Sequence, residues 1–158
     1  MTVEARDIVA DLALVPHPEG GWYRELHRSA EQVLTPRGPR CALTTIYYLL
    51  ERDQRSRWHR VDADEVWHFY AGAPLELFVY DPACAKLSRR ILASPDAGKP
   101  VEVVPAGAWQ AARCLGDYSL VGCCVGPGFE FADFRLVSSL PDHVEHFSEA
   151  LRELAHLL

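Results

Sequence analysis

The chain has 158 residues, of which 49% are hydrophobic and 24% charged, and its formal net charge at pH 7 is −6. This length and composition predict one globular domain over residues 1–158, not a fibrous or disordered chain. The negative charge, with acids surrounding the four arginines between Arg52 and Arg60, argues against nucleic acid as the partner. No apolar run reaches the roughly 20 residues that cross a bilayer, so no membrane association is expected. We see no basic segment followed by an apolar run at the N-terminus, so no signal peptide is expected. The five cysteines are an odd number and include no C-x-x-C pair, which predicts reduced thiols in a cytoplasmic protein.

A short helix is predicted over residues 2–13, because Ile8, Val9 and Leu12 place apolar groups on one side. The sequence His-Pro-Glu-Gly-Gly at 17–21 must end it, since prolines and glycines do not continue a helix. Two interpretations of this loop stay open at this stage. It is either a structural turn or a lid, over the pocket of this chain or over that of a partner.

Short strands are predicted from residue 22 onward, because β-branched and aromatic residues alternate with polar ones between turn signals. The predicted strands are 22–28, 42–50, 58–61, 65–71, 75–80, 86–92, 101–104, 108–114, 119–125 and 129–137. This spacing is typical of an all-β sandwich or barrel. The last segment, 141–158, has apolar residues at i, i+3 and i+7 and predicts a C-terminal amphipathic helix packed on the β body.

One histidine and one carboxylate, His59 and Glu65, fall on two successive predicted strands. Imidazole is the side chain most easily poised for proton transfer near neutral pH, and it is also a common metal ligand. Because side chains alternate along a strand, Glu65, Trp67 and Phe69 share one face. If Glu65 points inward, Trp67 and Phe69 line the interior as well. Trp67 would then lie on the pocket wall.

Six ordered blocks of sequence resemble the DUF985 or "cupin 5" family of the RmlC-like cupin superfamily. The blocks lie at 17–21, 45–50, 59–60, 64–68, 104–112 and 120–134. The resemblance implies a double-stranded β-helix, or jelly roll, usually paired as a homodimer, with a small-molecule pocket inside the barrel. It implies the fold more firmly than it implies a reaction.

Two metal-binding motifs of cupins are present in altered form. The first, His-x-His-x3-Glu-x6-Gly, is similar to the segment from His59 to Gly72, but Val61 replaces the second histidine. In the second, Pro-x-Gly-x2-His, Gln110 replaces the histidine. The resemblance therefore places His59, Glu65 and Gln110 at ligand positions for zinc, nickel or iron. An amide oxygen is a weak donor to these ions, so we expect no tightly bound metal and no other cofactor.

Without a metal, the pocket resembles that of the sugar-nucleotide epimerases of the cupin superfamily. The resemblance implies that His59 is the base that removes a proton next to a carbonyl, with Glu65 orienting its imidazole. The two side chains should then approach hydrogen-bond distance, directly or through a water or metal. The acid in such chemistry is often a tyrosine, and the candidates are Tyr47, Tyr48 and Tyr70.

The leading hypothesis is an isomerase or epimerase-like enzyme acting on a sugar-like or other polar carbonyl compound. The residues predicted to contact the substrate are Gln110, Trp67, Tyr47 and Phe69. Two functional alternatives stay open, a metal-dependent enzyme using His59 and Glu65 and a non-catalytic ligand-binding protein. If the two residues have no functional role, His59 and Glu65 form a hydrogen-bonded pair that only stabilises the core.

Overall fold

The structure is a computed structural model that describes residues 4–139, so the predicted helix at 141–158 lies outside the described residues. The first helix, α1, spans Ala5–Asp11, inside the predicted range. The strands are β1 (Val15–Pro16), β2 (Trp22–Arg28), β3 (Gln32–Thr35), β4 (Gly38–Cys41), β5 (Thr44–Glu51), β6 (Arg55–Val61), β7 (Asp64–Gly72), β8 (Leu75–Asp81), β9 (Lys86–Leu92), β10 (Val101–Val104), β11 (Trp109–Cys114), β12 (Tyr118–Gly126) and β13 (Phe134–Leu136). Among the described residues, no helix is long and apolar enough to span a membrane.

Two antiparallel sheets face each other and form the body of the molecule. One has six strands in the order β1-β2-β5-β12-β7-β10, and the other has five in the order β13-β6-β11-β8-β9. The hairpin of β3 and β4 forms a separate two-stranded sheet. This mostly β architecture confirms the predicted double-stranded β-helix.

The two sheets bury an apolar core that occupies only part of the space between them. It includes Trp67 of β7, Leu77 and Val79 of β8, and Val121 of β12, none more than 4% exposed. The interior face of β7 continues from Trp67 to Glu65, which is also buried. Because side chains alternate along a strand, the inward-facing residues of β7 extend from the apolar core to a buried carboxylate.

Two segments differ from the sequence prediction. The hairpin β3–β4 was not predicted, because Pro36 and Pro39 count against strands. The predicted strand 129–137 is interrupted by a 3₁₀ turn at Phe131–Asp133, and only β13 pairs with β6. Arg40 binds the Asp133 carboxylate through Nε at 2.7 Å and Nη2 at 2.8 Å, which holds this turn against β4.

Candidate functional site

A cavity of about 250 Å³ opens between the sheets beside the apolar core. Its lining comes from both sheets, from the loop 17–21 and from the segment after β12. The titratable groups on its inner part are His17, Glu19, Tyr48, His59, Glu65 and Cys123, and the charged residues Arg24, Glu25, Arg28 and Glu130 also line the cavity. The predicted residues His59 and Glu65 therefore meet in one cavity, one from each sheet.

The loop 17–21 brings Glu19 into the cavity, and its two glycines explain how. Gly20 and Gly21 have φ values of +111° and +72°, which side-chain-bearing residues rarely adopt. A Cβ on Gly20 would collide with the backbone carbonyl of Arg55, and one on Gly21 would lie 2.7 Å from the carbonyl oxygen of Leu49. The loop thus packs directly on β5 and β6, where only glycine fits, and Glu19 is left 7% exposed.

The Glu19 carboxyl group contacts His59 directly. Its Oε2 lies 3.2 Å from Nε2 of His59, whose side chain is 2% exposed, and its Oε1 accepts a 2.8 Å hydrogen bond from the Ser56 hydroxyl. Ser56 is fully buried. Both carboxyl oxygens therefore have fixed partners, and Glu19, not Glu65, is the carboxyl group in contact with the His59 ring.

The backbone of β6 determines which nitrogen of His59 carries the proton in the neutral ring. Nδ1 lies 2.8 Å from the carbonyl oxygen of Arg57. A carbonyl oxygen only accepts, so Nδ1 must be the donor. The lone pair of the neutral imidazole is then on Nε2, and this nitrogen shares one proton with Glu19.

The second histidine of the cavity, His17, has the opposite tautomer in its neutral form. Its Nδ1 accepts a hydrogen bond from the backbone N–H of Glu19 at 3.2 Å, so in the neutral ring this nitrogen is unprotonated. It lies 3.6 Å from Oε2 of Glu19. The ring packs edge-on against Tyr23, with a centroid separation of 4.5 Å.

Burial favours the neutral form of each of these groups. Desolvation raises the pKa of Glu19, although His17 and the Ser56 hydroxyl act against this rise. Desolvation also lowers the pKa of His59 and of His17, partly offset by Glu65 for the first and by Glu19 for the second. The directions agree with a Glu19 carboxylic acid that donates to a neutral His59 at rest.

Glu65 has a different set of partners from the predicted one. Its Oε2 accepts a 2.5 Å hydrogen bond from the Gln110 amide, whose own oxygen accepts the indole N–H of Trp67 at 3.0 Å. Desolvation raises the pKa of Glu65, and His59 lowers it. The effect of His59 on Glu65 is electrostatic, and no direct hydrogen bond between them is present among the described contacts.

The predicted metal ligands His59, Glu65 and Gln110 do not fit a metal ion in this arrangement. The Gln110 oxygen is already occupied by Trp67, and the group that Gln110 presents to Glu65 is the amide NH₂, which cannot act as a ligand. Within residues 4–139, no three His, Cys, Asp or Glu side chains converge as a metal site.

The predicted substrate-binding residues lie behind or outside the cavity lining. Gln110 and Trp67 are each 1% exposed and bind one another in a second layer, and Phe69 packs against the apolar core. Tyr47 packs edge-on against Tyr70 at 6.1 Å, and Tyr70 is half exposed. None of these residues belongs to the described lining of this cavity.

Of the three candidate tyrosines, Tyr48 alone lines the cavity. Its hydroxyl donates a 2.7 Å hydrogen bond to the carbonyl oxygen of Gly20. Desolvation and the neighbouring Glu19 raise its pKa well above the usual value. The tyrosine thus helps to fix the loop 17–21.

Sequence reasoning missed Glu19 and His17 as members of the site. The signal was present in the sequence, since two adjacent glycines after a glutamate indicate a backbone with positive φ and a close approach. The periodicity of strands carries no information about a loop that folds back into the barrel. The position of the loop depends on contacts with β5 and β6 that are distant in sequence.

Comparison with known proteins identifies the family. Residues 6–137 match the family described as the cupin superfamily, DUF985. The chain belongs to this family. No functionally curated protein matches the sequence.

Solved structures support the same assignment. A hypothetical protein from Leishmania major is 34% identical, with a TM-score of 0.79 over 89% of this chain and 94% of that one. A protein from Shewanella oneidensis is 36% identical, with a TM-score of 0.77 over 90% of this cupin and 93% of its own chain. A dTDP sugar isomerase from Desulfovibrio desulfuricans is 13% identical, with a TM-score of 0.53 over 72% and 82% of the two chains, which shows a shared fold only.

Proposed function

We propose that this cupin is a proton-transfer enzyme of the isomerase or epimerase type, acting on a small carbonyl compound with Glu19 and His59 as its acid–base pair. The observation that carries the proposal is the 3.2 Å contact between Glu19 and Nε2 of His59, with Nδ1 of the same ring bound to a backbone carbonyl. Both groups line a cavity of about 250 Å³, below the usual size of ligand pockets. Buried titratable groups that share a cavity are typical of catalytic sites.

The reaction balances with these two groups alone. The neutral His59 removes the proton from the carbon next to the carbonyl through Nε2, while the Glu19 carboxylic acid donates its proton to the carbonyl oxygen. The products are an enol, a His59 imidazolium and a Glu19 carboxylate, which attract one another in a low-dielectric site. Return of a proton to the other face of the carbon, or to the neighbouring carbon, gives the isomer and restores the pair.

Glu65 and Tyr48 have supporting roles in this proposal. The Glu65 charge stabilises the His59 imidazolium electrostatically, and Gln110 fixes the orientation of this carboxyl group. The Tyr48 hydroxyl is bound to Gly20 and holds the loop that carries Glu19. Neither residue is required to exchange a proton with the substrate.

Hydrogen exchange in deuterated water tests the proposal. The protein is incubated with a panel of aldoses and α-hydroxy ketones, and NMR follows the loss of the proton next to the carbonyl. Wild type should catalyse exchange with at least one compound, and His59→Gln and Glu19→Gln should each reduce the rate by about 10²–10⁴-fold. His27→Gln and Glu31→Gln are matched controls, because both residues are exposed and neither belongs to the lining.

The same experiment separates the alternative functions. Binding of a carbonyl compound without exchange would favour a non-catalytic ligand-binding protein. Exchange that disappears after treatment with a chelator and returns with zinc, nickel or iron would favour a metal-dependent enzyme. Exchange that is insensitive to chelation but lost in both variants is the result expected for the Glu19–His59 pair.

A further inference from the structure

We infer that the entrance of this cavity is a subsite for a flat apolar group, with Phe131 as the residue that selects it. The inference rests on the proposed function, in which a carbonyl group reacts at the cavity floor. It narrows the substrate class from polar carbonyl compounds in general to those that carry an aromatic or similarly flat substituent.

The cavity is polar at its floor, and its entrance combines apolar side chains with the charged Arg24, Glu25, Arg28 and Glu130. Glu19, His59 and Glu65 at the floor are each no more than 7% exposed. Val15 and Phe131, which line the same cavity, are 52% and 53% exposed. The charged side chains of the entrance bind one another or the backbone, since Arg28 binds Glu25 and Glu130 and Arg24 donates to the Leu12 carbonyl oxygen. Val15 and Phe131 are therefore the exposed surface of the entrance that suits an apolar group of a ligand.

Hydrogen bonds from arginine side chains fix the backbone before and after Phe131. On one side, Arg28 donates through Nη1 to Glu130 at 2.8 Å and through Nη2 to the carbonyl oxygen of Phe129 at 3.0 Å. On the other side, Asp133 is held by Arg40. The exposed ring therefore has a defined position, because its neighbours in sequence are fixed by charged hydrogen bonds.

Aromatic neighbours support the Phe131 ring without covering it. Phe129 packs edge-on at 5.1 Å, Phe134 packs edge-on at 6.1 Å, and the His17 ring lies at 6.3 Å with an interplanar angle of 29°. His17 also contacts Glu19, so the aromatic entrance is continuous with the polar floor. A carbonyl compound with a ring one or two bonds away would reach both parts at once, with stacking on Phe131.

A matched pair of ketones tests the subsite. Hydroxyacetone and 2-hydroxyacetophenone have the same hydroxymethyl ketone, and only the second has a phenyl ring. Binding is measured by NMR titration of isotope-labelled protein, following the amide signals of Glu19 and His59, so that it does not depend on turnover. The variants are Phe131→Ala, Phe131→Tyr, which keeps a ring, and Leu34→Ala, in which an apolar side chain that is 88% exposed on β3 is removed away from the cavity.

We expect wild type to bind 2-hydroxyacetophenone at least tenfold more tightly than hydroxyacetone. Phe131→Ala should weaken binding of the phenyl ketone by roughly three- to tenfold and leave hydroxyacetone unchanged, whereas Phe131→Tyr and Leu34→Ala should match wild type. Equal wild-type affinities, no binding of the phenyl ketone at millimolar concentration, or an equal loss for both ketones in Phe131→Ala would overturn the inference. Exchange without a phenyl preference would overturn the subsite alone, and a phenyl preference without exchange would overturn the proposed reaction alone.

Discussion

Replacement of Glu19 distinguishes a neutral acid–base pair from an ion pair in the resting protein. Glu19→Ala removes the acceptor of the Ser56 hydroxyl and the partner of Nε2 of His59, and both of these side chains are buried. Each of these two buried polar groups left without a partner costs about 1–3 kcal/mol, so the free energy of unfolding should fall by about 2–6 kcal/mol.

Glu19→Gln should behave differently if the pair is neutral. A glutamine amide can accept from Ser56 through its oxygen and donate to Nε2 of His59 through its nitrogen, as the carboxylic acid does. We therefore expect the free energy of unfolding to fall by less than about 1 kcal/mol, well below the loss in Glu19→Ala, while the rate of proton transfer falls by about 10²–10⁴-fold.

Urea unfolding at neutral pH measures both variants, with Glu31→Gln as the control for an exposed glutamate. If the pair were a carboxylate and an imidazolium, Glu19→Gln would leave a buried cation without its counter-charge and lose about 3–5 kcal/mol. A loss in Glu19→Gln as large as that in Glu19→Ala would therefore refute a neutral pair.

Three further measurements test the loop, the titration of the site and the assembly. Gly20→Ala should lower the melting temperature more than Gly107→Ala, because both glycines have positive φ but only the first would meet a backbone carbonyl; equal losses would contradict this. Because burial lowers the pKa of His17, the folded protein binds fewer protons than the unfolded chain below about pH 6.5. The folded state therefore loses stability as the pH falls. His17→Asn should make the decrease in unfolding free energy between about pH 6.5 and 5 shallower, by up to about 1.4 kcal/mol per pH unit, and an unchanged slope would contradict this. Light scattering should give twice the chain mass of 17.7 kDa, as expected for the predicted homodimer. A mass near 17.7 kDa at micromolar concentration would contradict the prediction.

The β architecture was accessible from sequence because strand alternation is a local signal. The predicted strands 22–28, 86–92 and 101–104 coincide with β2, β9 and β10. The same alternation predicted that Glu65 and Trp67 share an inward face, as both are buried. Family resemblance supplied the topology, which periodicity alone does not specify.

Only some residues of the site could be predicted from the sequence, for a physical reason. His59 and Glu65 are on strands, so their register places them in the interior. Glu19 is on a loop, and it reaches His59 because Gly20 packs against the backbone of Arg55. That contact joins residues far apart in sequence, and no local pattern encodes it. Gln110 of β11 lies beside Glu65, but its oxygen is bound by the Trp67 indole N–H, a contact that strand alternation does not predict.

The protonation state of His59 tests the central claim most directly. Long-range ¹H–¹⁵N NMR of the histidine ring distinguishes the two neutral tautomers and the imidazolium. The account predicts a neutral ring at pH 7 with the proton on Nδ1, bound to the Arg57 carbonyl, and the lone pair on Nε2 beside Glu19. An imidazolium at pH 7, or a neutral ring with its proton on Nε2, would contradict it.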